Sequence, residues 1–252
     1  MNGVIAITNQ KGGVGKTTTA VNLSACLADL GKKVLMLDID PQGNATSGIG
    51  IDKQKIKRCI YDALINDIDA RKIIVESSIG GLDVIPATIQ LAGAEIELVP
   101  TLSREVRLKK VIEKIRNEYD FIFIDCPPSL GLLTLNALTA ADIVLVPIQC
   151  EYYALEGLGQ LVNTIDLVKK HLNSDLQIRG VILTMYDSRT NLSLQVADEV
   201  RKHFGEVVFR AVIPRNVRLS EAPSHGEPII KYDPRSKGAE VYKLLAEEVL
   251  AR

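Results

Sequence analysis

The sequence predicts an α/β fold with three layers, in which a mainly parallel, twisted sheet has helices on both faces. Short apolar runs rich in β-branched residues recur along the 252 residues without the alternation of half-exposed strands, which is typical of strands buried on both faces. Most of the stretches between these runs are long enough for the crossover helices that parallel strands require. Because 46% of the residues are hydrophobic, the chain can bury a large core, and we expect residues 1–252 to form one domain.

The strands and the first helix can be assigned in chain order. The apolar runs predict strands at residues 4–7, 34–37, 82–85, 121–124, 143–146, 181–183 and 207–209. Between the first two strands, residues 16–30 have a helical pattern that places Ala20, Leu23, Leu27 and Leu30 on one face. Gly31 is placed to end this helix, because glycine favours the left-handed conformation common at helix C-termini. The helix is the predicted crossover between the first two strands.

Composition excludes several classes of protein. No apolar stretch approaches the roughly 18 residues of a membrane span, and the N-terminus lacks the pattern of a signal peptide, so we expect a cytoplasmic protein. The four cysteines and three histidines are too scattered for a disulfide framework or a metal cluster, and we expect free, buried or half-buried thiols. The net charge of −1 means that any nucleic-acid binding needs a local basic patch. Residues 201–237 offer one candidate, with eight basic and four acidic residues.

A glycine-rich loop follows the first predicted strand and precedes the first helix. It consists of Lys11, Gly12, Gly13, Val14, Gly15, Lys16, Thr17 and Thr18. Glycines let backbone N–H groups converge on an anion, and the helix N-terminus adds partial positive charge. The loop therefore predicts a nucleoside triphosphate site, in which Lys16 meets the β- and γ-phosphates and Thr17 meets magnesium.

The loop departs from the ordinary phosphate-binding pattern, G-x-x-x-x-G-K-[ST]. Gln10 stands at the first glycine position, and an additional lysine, Lys11, precedes the glycines, which gives the variant K-G-G-x-G-K-[ST]. A dinucleotide-binding turn is the structural alternative, since Gly13 and Gly15 follow a strand and Asp38 lies roughly 20 residues further on. The third glycine position of that turn is Thr18, however, and its pattern gives no role to a Lys-Thr pair, so we favour the triphosphate.

Two carboxylates complete a predicted hydrolytic site. Asp40 lies just past the second strand, and Asp125 ends the strand at 121–124. Because the carboxyl ends of parallel strands share one edge of the sheet, both side chains are expected beside the phosphate loop. We predict that Asp125 holds magnesium through water, and that Asp40 positions or activates the attacking water and contributes to the metal site. We interpret Asp38 as a structural residue.

The chain resembles the deviant Walker A ATPases of the MinD/ParA class, and along nearly its whole length it resembles the ParA/Soj partition branch. The motifs that carry the resemblance are K-G-G-V-G-K-T-T at 11–18, D-I-D-P-Q-G-N at 38–44, I-D-C-P-P-S-L-G at 124–131, P-I-Q-C-E-Y-Y-A-L-E-G at 147–157 and V-I-P-R-N-V-R-L-S-E-A-P at 212–223. The last two are specific to the partition branch.

The resemblance implies a P-loop ATPase that uses ATP and Mg²⁺ and forms a homodimer around ATP, with Lys11 reaching the phosphates held by the opposite subunit. It implies adenine contacts at Met185, Pro214, Arg215 and Asn216, and contacts to double-stranded DNA, without sequence preference, at Arg189 and Arg218. It also implies slow ATP hydrolysis stimulated by a ParB-type centromere-binding partner, a nucleoid-associated location, and a role in chromosome or plasmid segregation.

Relatives within the same class supply the alternative functions. A MinD-like, membrane-associated positioning ATPase would need a basic amphipathic tail, whereas residues 240–252 carry acids on their polar positions. An iron–sulfur electron carrier like the nitrogenase iron protein would need characteristic residues around its cluster-binding cysteines, and this sequence lacks them. A metabolic P-loop enzyme remains compatible with the fold, but the sequence contains no motif for a small phosphate acceptor.

Overall fold

In the computed structural model, which describes residues 3–151 and 156–252, the chain forms a seven-stranded sheet between two layers of helices. The strands are β1 (Gly3–Ile7), β2 (Val34–Asp38), β3 (Val75–Glu76), β4 (Leu82–Ile85), β5 (Phe121–Asp125), β6 (Ile143–Gln149) and β7 (Gln177–Thr184). Their order in the sheet is β3-β4-β2-β5-β1-β6-β7, and every neighbouring pair is parallel except β3 with β4. The predicted three-layer α/β fold is confirmed.

The helices pack on the two faces of the sheet. They are α1 (Lys16–Asp29), α2 (Asn44–Gly48), α3 (Ile60–Ile65), α4 (Leu91–Glu97), α5 (Arg107–Glu113), α6 (Leu132–Ala140), α7 (Glu156–His171), α8 (Asn191–Phe204), α9 (Val217–Glu221), α10 (Ile229–Tyr232) and α11 (Lys237–Ala251). One buried apolar cluster joins the sheet to α3–α8, and a second joins it to α1, α2 and α9–α11. Burial of the strands on both faces explains why their sequences are continuously apolar.

The first crossover helix ends as predicted. The N–H of Lys32 donates to the Leu27 carbonyl (3.1 Å) and that of Gly31 to the Ala28 carbonyl (2.9 Å), the paired bonds of a Schellman motif. This motif needs a left-handed residue, which Gly31 supplies with φ of 81°. Leu30, predicted on the buried face, is instead 44% exposed because it lies past the last helical turn.

The predicted strand at residues 207–209 is wrong. Residues Gly205–Val207 form a 3₁₀ turn, and the segment after it runs beside β7 with only isolated bridges. The N–H groups of Arg210 and Ala211, which would continue a ladder, donate instead to the carboxylate of Glu248 in α11 (2.9 and 3.2 Å). A carboxylate distant in sequence has therefore replaced the neighbouring strand as acceptor.

Strand β3 was missed, because two residues give no measurable periodicity.

Of the partition motif at 147–157, residues 152–155 lie outside the described residues. Within the described residues, no helix has the length and apolar character needed to cross a membrane.

Candidate functional site

The glycine-rich loop joins β1 to α1 at the carboxyl edge of the sheet, and contacts from other strands fix its ends. The buried Asn9 side chain donates to the Pro147 carbonyl of β6 (2.7 Å) and accepts from the Lys11 N–H (3.0 Å). At the other end, the buried Thr184 hydroxyl of β7 donates to the Val14 carbonyl (2.8 Å). The loop conformation is therefore set by β6 and β7 as well as by its own sequence.

Two glycines give the loop its shape. Gly13 and Gly15 have φ of 74° and 90°, values that side-chain-bearing L-residues rarely adopt. Gly12 and Gly13 are exposed, whereas Val14 is buried and anchors the loop. The helix α1 begins directly after Gly15 without a side-chain cap, so the N–H groups of its first turn remain as donors. The arrangement suits an anion at the start of α1.

The two lysines of the loop lie in different environments. Lys16 is only 6% exposed, and its Nζ donates to the Lys11 carbonyl (3.0 Å), so that its ammonium group lies inside the loop. Burial lowers the pKa of Lys16, against the opposing effects of nearby Asp125, Cys126 and Asp40. Lys11 is half-buried. Lys16 is thus placed among the carboxylates, while Lys11 is partly exposed.

Asp38 and Asp125 are register partners on adjacent strands, yet their carboxylates have opposite surroundings. Asp38 is fully buried and accepts from the Thr46 N–H (2.8 Å), the Thr46 hydroxyl (2.8 Å) and the Asp40 N–H (3.1 Å). Burial raises its pKa to about 6, and these hydrogen bonds oppose the rise. Asp38 therefore fixes the chain that carries Asp40, in agreement with the interpretation of Asp38 as structural.

Asp125 is equally buried, but neither of its oxygens has a hydrogen-bond partner among the described residues. Burial and the nearby charges of Asp38 and Asp40 raise its pKa well above the ordinary range. The Thr17 hydroxyl, which lies nearby without forming a well-aligned hydrogen bond, and the Lys16 charge lower it. A buried carboxylate without partners is costly unless another group completes it. Together with Thr17, it offers the oxygen donors that a magnesium ion prefers.

Asp40 lies in the tight turn after β2, with 8% of its surface exposed. Its Oδ1 accepts from the Gln42 N–H (2.9 Å), and its carbonyl accepts from the Gly43 N–H (2.8 Å). Gly43 has φ of 62°, and a Cβ there would lie 2.8 Å from the Ala87 carbonyl oxygen and from Lys53 Cδ. The turn is therefore tightly enclosed, and it holds the Asp40 carboxylate close enough to affect the pKa of Lys16 and of Asp125.

The predicted adenine residues come together around a cavity of about 350 Å³ beside the loop. Met185, Pro214, Arg215 and Asn216 line it together with Gly15 and Thr18. Reciprocal backbone bonds tie the two segments, because the Tyr186 N–H donates to Ile213 and the Arg215 N–H donates to Tyr186, both at 3.1 Å. Met185 has φ of 50° where it turns into the cavity.

Sequence reasoning missed three residues of this site. Tyr242 of α11 lines the cavity, and its hydroxyl lies 3.3 Å from that of Thr19. Nothing in the sequence around Tyr242 points to the site, since it is brought there by packing of α11 against α1. Asn9 and Thr184 were also missed, although the position of Asn9 just before Lys11 is a usable signal.

The predicted DNA contacts, Arg189 and Arg218, do not line the cavity, and both are paired with acids. Arg189 makes two bonds to Asp187 (2.9 and 2.7 Å), which hold the pKa of Asp187 at about 2. Arg218 pairs with Glu221 (2.8 Å) and Asp233 (3.4 Å). In the basic patch around them, Arg215 pairs with Glu151, Lys202 with Glu199, Arg201 with Asp198 and Lys237 with Glu240. Acids from outside residues 201–237 thus offset part of the basic excess counted there.

Comparison with known proteins places these features in a family context. A family model described as an AAA domain matches residues 2–178. The sporulation initiation inhibitor protein Soj of Bacillus subtilis is 68% identical over 251 residues, covering 100% of this chain and 99% of that protein. The chromosome partitioning protein ParA of Myxococcus xanthus is 57% identical over 99% of this chain and 88% of its own length.

Solved structures have the same fold. The structure described as cobyrinic acid a,c-diamide synthase from Mycobacterium smegmatis, with bound ADP and magnesium, is 40% identical with a TM-score of 0.87, covering 99% of this chain and 94% of that chain. The cell division ATPase MinD of Pyrococcus furiosus is 29% identical with a TM-score of 0.83, covering 100% of this chain and 99% of that chain.

Proposed function

The chain belongs to the Soj/ParA family of chromosome-partitioning ATPases, and from this premise we propose that it is an ATP-dependent dimerisation switch that binds DNA. In the proposed cycle, ATP and Mg²⁺ bind at the glycine-rich loop and the ATP-bound protein forms a homodimer. The dimer binds duplex DNA without sequence preference, and slow hydrolysis, stimulated by a ParB-type partner, ends the bound state. The cycle drives segregation of a chromosome or plasmid and places the protein on the nucleoid within the cytoplasm.

One observation carries the ATP part of the proposal. The glycine-rich loop, a buried lysine, two carboxylates and a cavity of about 350 Å³ lie together at the carboxyl edge of a parallel sheet. The cavity has room for a base beside the first turn of α1, where phosphates are favoured. The relative with 40% identity is described as binding ADP and magnesium, which supports the same ligands here.

The residues of the site take distinct roles in the proposal. The N–H groups of residues 12–18 and the Lys16 ammonium hold the phosphates, and Met185 with residues 214–216 contacts the adenine. Thr17, Asp125 and Asp40 are the proposed magnesium site, with Asp125 acting through water, which is consistent with its two unpartnered oxygens. Magnesium supplies positive charge to the β- and γ-phosphates. Lys11, which is partly exposed, contacts the phosphates held by the other subunit.

Asp40 is the proposed positioning group for the attacking water. The enclosed turn around Gly43, the bond that the Asp40 N–H donates to Asp38 and the bond that the Gln42 N–H donates to Asp40 Oδ1 restrict the carboxylate. Such preorganisation lowers the cost of aligning a nucleophile. Asp40→Ala should therefore lower the rate of ATP hydrolysis strongly and the affinity for ATP only weakly. The lysine and the backbone donors of the loop, which hold the phosphates, do not depend on Asp40.

The alternative of a membrane-associated, MinD-like ATPase is less well supported. Most apolar residues of α11, including Val241, Leu245 and Val249, are buried against α1 and the sheet, whereas Leu244 and Leu250 are exposed. A tail helix whose apolar face is already packed has little apolar area left for a membrane surface. We also propose that residues 1–252 are a single domain, since both apolar clusters draw on distant parts of the chain.

The proposal is tested with purified Asp40→Ala protein. Mass in solution and binding to duplexes of unrelated sequence are measured with ATP and Mg²⁺, with ADP, and without nucleotide. We expect dimers and DNA binding only in the presence of ATP and Mg²⁺. A Lys16→Ala control, which loses the buried ammonium in the phosphate loop, should show neither under any of these conditions. An ATP-bound dimer that ignores DNA would refute the DNA-binding part, and a monomer in all conditions would refute the switch.

A further inference from the structure

A second basic surface lies on the side of the molecule where β3 forms the edge of the sheet. A cavity of about 720 Å³ lies between residues 50–58 and residues 72–76, and we call it the Lys57 groove. Its charged lining residues are the cations Lys55, Lys57, Arg58 and Lys72 and the acids Asp52 and Glu76. The cations follow from the sequence K-Q-K-I-K-R at 53–58 and from Lys72. The groove therefore carries an excess of positive charge.

The cations of the groove differ from the predicted DNA contacts in their pairing. Lys55 pairs with Asp52 at 3.4 Å, but Lys57, Arg58 and Lys72 are exposed and have no ion-pair partner within residues 3–151 and 156–252. Arg189 and Arg218, by contrast, each pair with acids of their own surface. Unpaired cations can bind phosphate without first giving up a carboxylate.

The groove is continuous with the surface that carries Arg218. Gly50, which lines the groove, is in backbone contact with Gly226, since a Cβ on Gly226 would lie 2.7 Å from the Gly50 Cα. Lys231 of α10 donates to the carbonyl and hydroxyl of Ser78 (both 3.2 Å), two residues beyond Glu76 at the rim. The segment that follows Arg218 therefore contacts the groove at Gly50 and comes close to it again at Ser78, where Lys231 adds a positive charge.

We propose that the Lys57 groove binds the phosphate backbone of DNA and extends the contact surface of Arg189 and Arg218 across the molecule. This rests on the proposed function, because it assigns a further surface to the same DNA-bound, ATP-bound dimer. Arg189 follows β7 and the groove borders β3, the opposite edges of the seven-stranded sheet. At a strand spacing of about 4.8 Å these edges lie about 29 Å apart, the length of about eight base pairs.

Phosphate is favoured over an acidic protein segment as the occupant. Of the four isoleucines that line the groove, Ile51, Ile56 and Ile74 are half-buried and Ile73 is buried in the core. They offer no deep pocket for an anchoring side chain. The cations instead lie exposed along the rim, which suits repeated phosphates read without sequence preference.

The test compares Lys57→Ala/Arg58→Ala with a control that loses the same charge, Lys169→Ala/Lys170→Ala. The control lysines belong to α7, which connects β6 to β7 at the opposite edge of the sheet from β3. DNA binding is measured over a range of salt concentrations on dimers formed with an ATP analogue that resists hydrolysis, after their mass has been verified. Each lost phosphate contact lowers the slope of log affinity against log salt by about 0.9, so we expect a decrease of about 1.8 per protomer and at least about tenfold weaker binding. The charge-preserving swap Lys57→Arg/Arg58→Lys should retain the wild-type slope.

The outcomes separate this inference from the proposed function. If wild-type dimers bind DNA and Lys57→Ala/Arg58→Ala dimers bind with the same affinity and slope, the groove is not a DNA contact, although the proposed function stands. An equal loss in the α7 control would also overturn the inference, because it would reflect overall charge alone. Binding of poly-glutamate to the groove in preference to DNA would reassign it to an acidic protein segment. Failure of wild-type dimers to bind DNA would overturn both proposals.

Discussion

The contrast between Asp38 and Asp125 gives a direct test of the physical description of the site. The two residues are buried, occupy paired positions in β2 and β5, and are of the same type. Replacing either with alanine removes the same atoms, so the cost of lost side-chain volume is similar. Asp38→Ala leaves three donors without their acceptor, two on Thr46 and one on Asp40. Asp125→Ala loses only the weak approach of the Thr17 hydroxyl and removes a buried carboxyl group that is costly to ionise.

The expected difference is at least about 3 kcal/mol in the free energy of unfolding. This takes about 1 kcal/mol for each orphaned donor. The cost per unsatisfied donor is taken at the low end of its usual range, because Asp38→Ala also removes a buried charge. The pKa of Asp38, raised to about 6, indicates that this charge is itself costly. Asp125→Ala should be as stable as the wild type or more stable. For a domain of this size the difference corresponds to about 6 to 12 °C in the melting temperature.

The assay is urea-induced unfolding followed by far-ultraviolet circular dichroism, without nucleotide or magnesium. A second arm varies pH. The pKa of Asp125 in the folded state lies above that of an unfolded aspartate, which is about 3.9. At pH values between these two pKa values, the Asp125 carboxyl therefore binds a proton more tightly in the folded than in the unfolded protein. Its contribution to stability therefore falls as pH rises through that window, and the advantage of Asp125→Ala should grow. Equal destabilisation of the two variants at neutral pH would refute the assigned environments.

Three further predictions follow from other parts of the structure. Gly43→Ala should destabilise the protein by about 2 kcal/mol more than Gly31→Ala in thermal unfolding, since both positions have positive φ but only a Cβ at 43 meets backbone at 2.8 Å; equal losses would contradict the enclosed turn. The four cysteines are free and buried, and burial raises the pKa of Cys26 to about 12 and that of Cys150 to about 11. Thiol reagents at pH 8 should therefore label the native protein only as fast as it unfolds. Rapid labelling of Cys26 or Cys150 would count against the burial of that thiol. Asp187→Asn should strengthen DNA binding by the ATP-bound protein about two- to threefold at low salt, because Arg189 loses its carboxylate partner; unchanged binding would place Arg189 outside the DNA contact.

The strands and the glycine-rich loop could be predicted because their signals are local. Six of the seven predicted strands are present, since a strand buried on both faces must be apolar throughout. The loop glycines and Lys16 are adjacent in sequence, and the parallel sheet then brings Asp40 and Asp125 to the same edge. The adenine residues came from the resemblance, and the structure gathers them around one cavity.

The sequence by itself determined the order of the strands along the chain, the parallel class of the sheet, and the chemistry present at its carboxyl edge. Only the tertiary structure decided which buried aspartate is satisfied by hydrogen bonds, because Thr46 is a partner of Asp38 and not of Asp125. It also decided that Glu248 replaces a strand beside Arg210, and that residues 50–58 and 72–76 enclose one basic groove. The physical reason is the same in each case. Local sequence fixes backbone preference and burial, whereas the free energy of a polar or charged group depends on partners that are brought to it from distant parts of the chain.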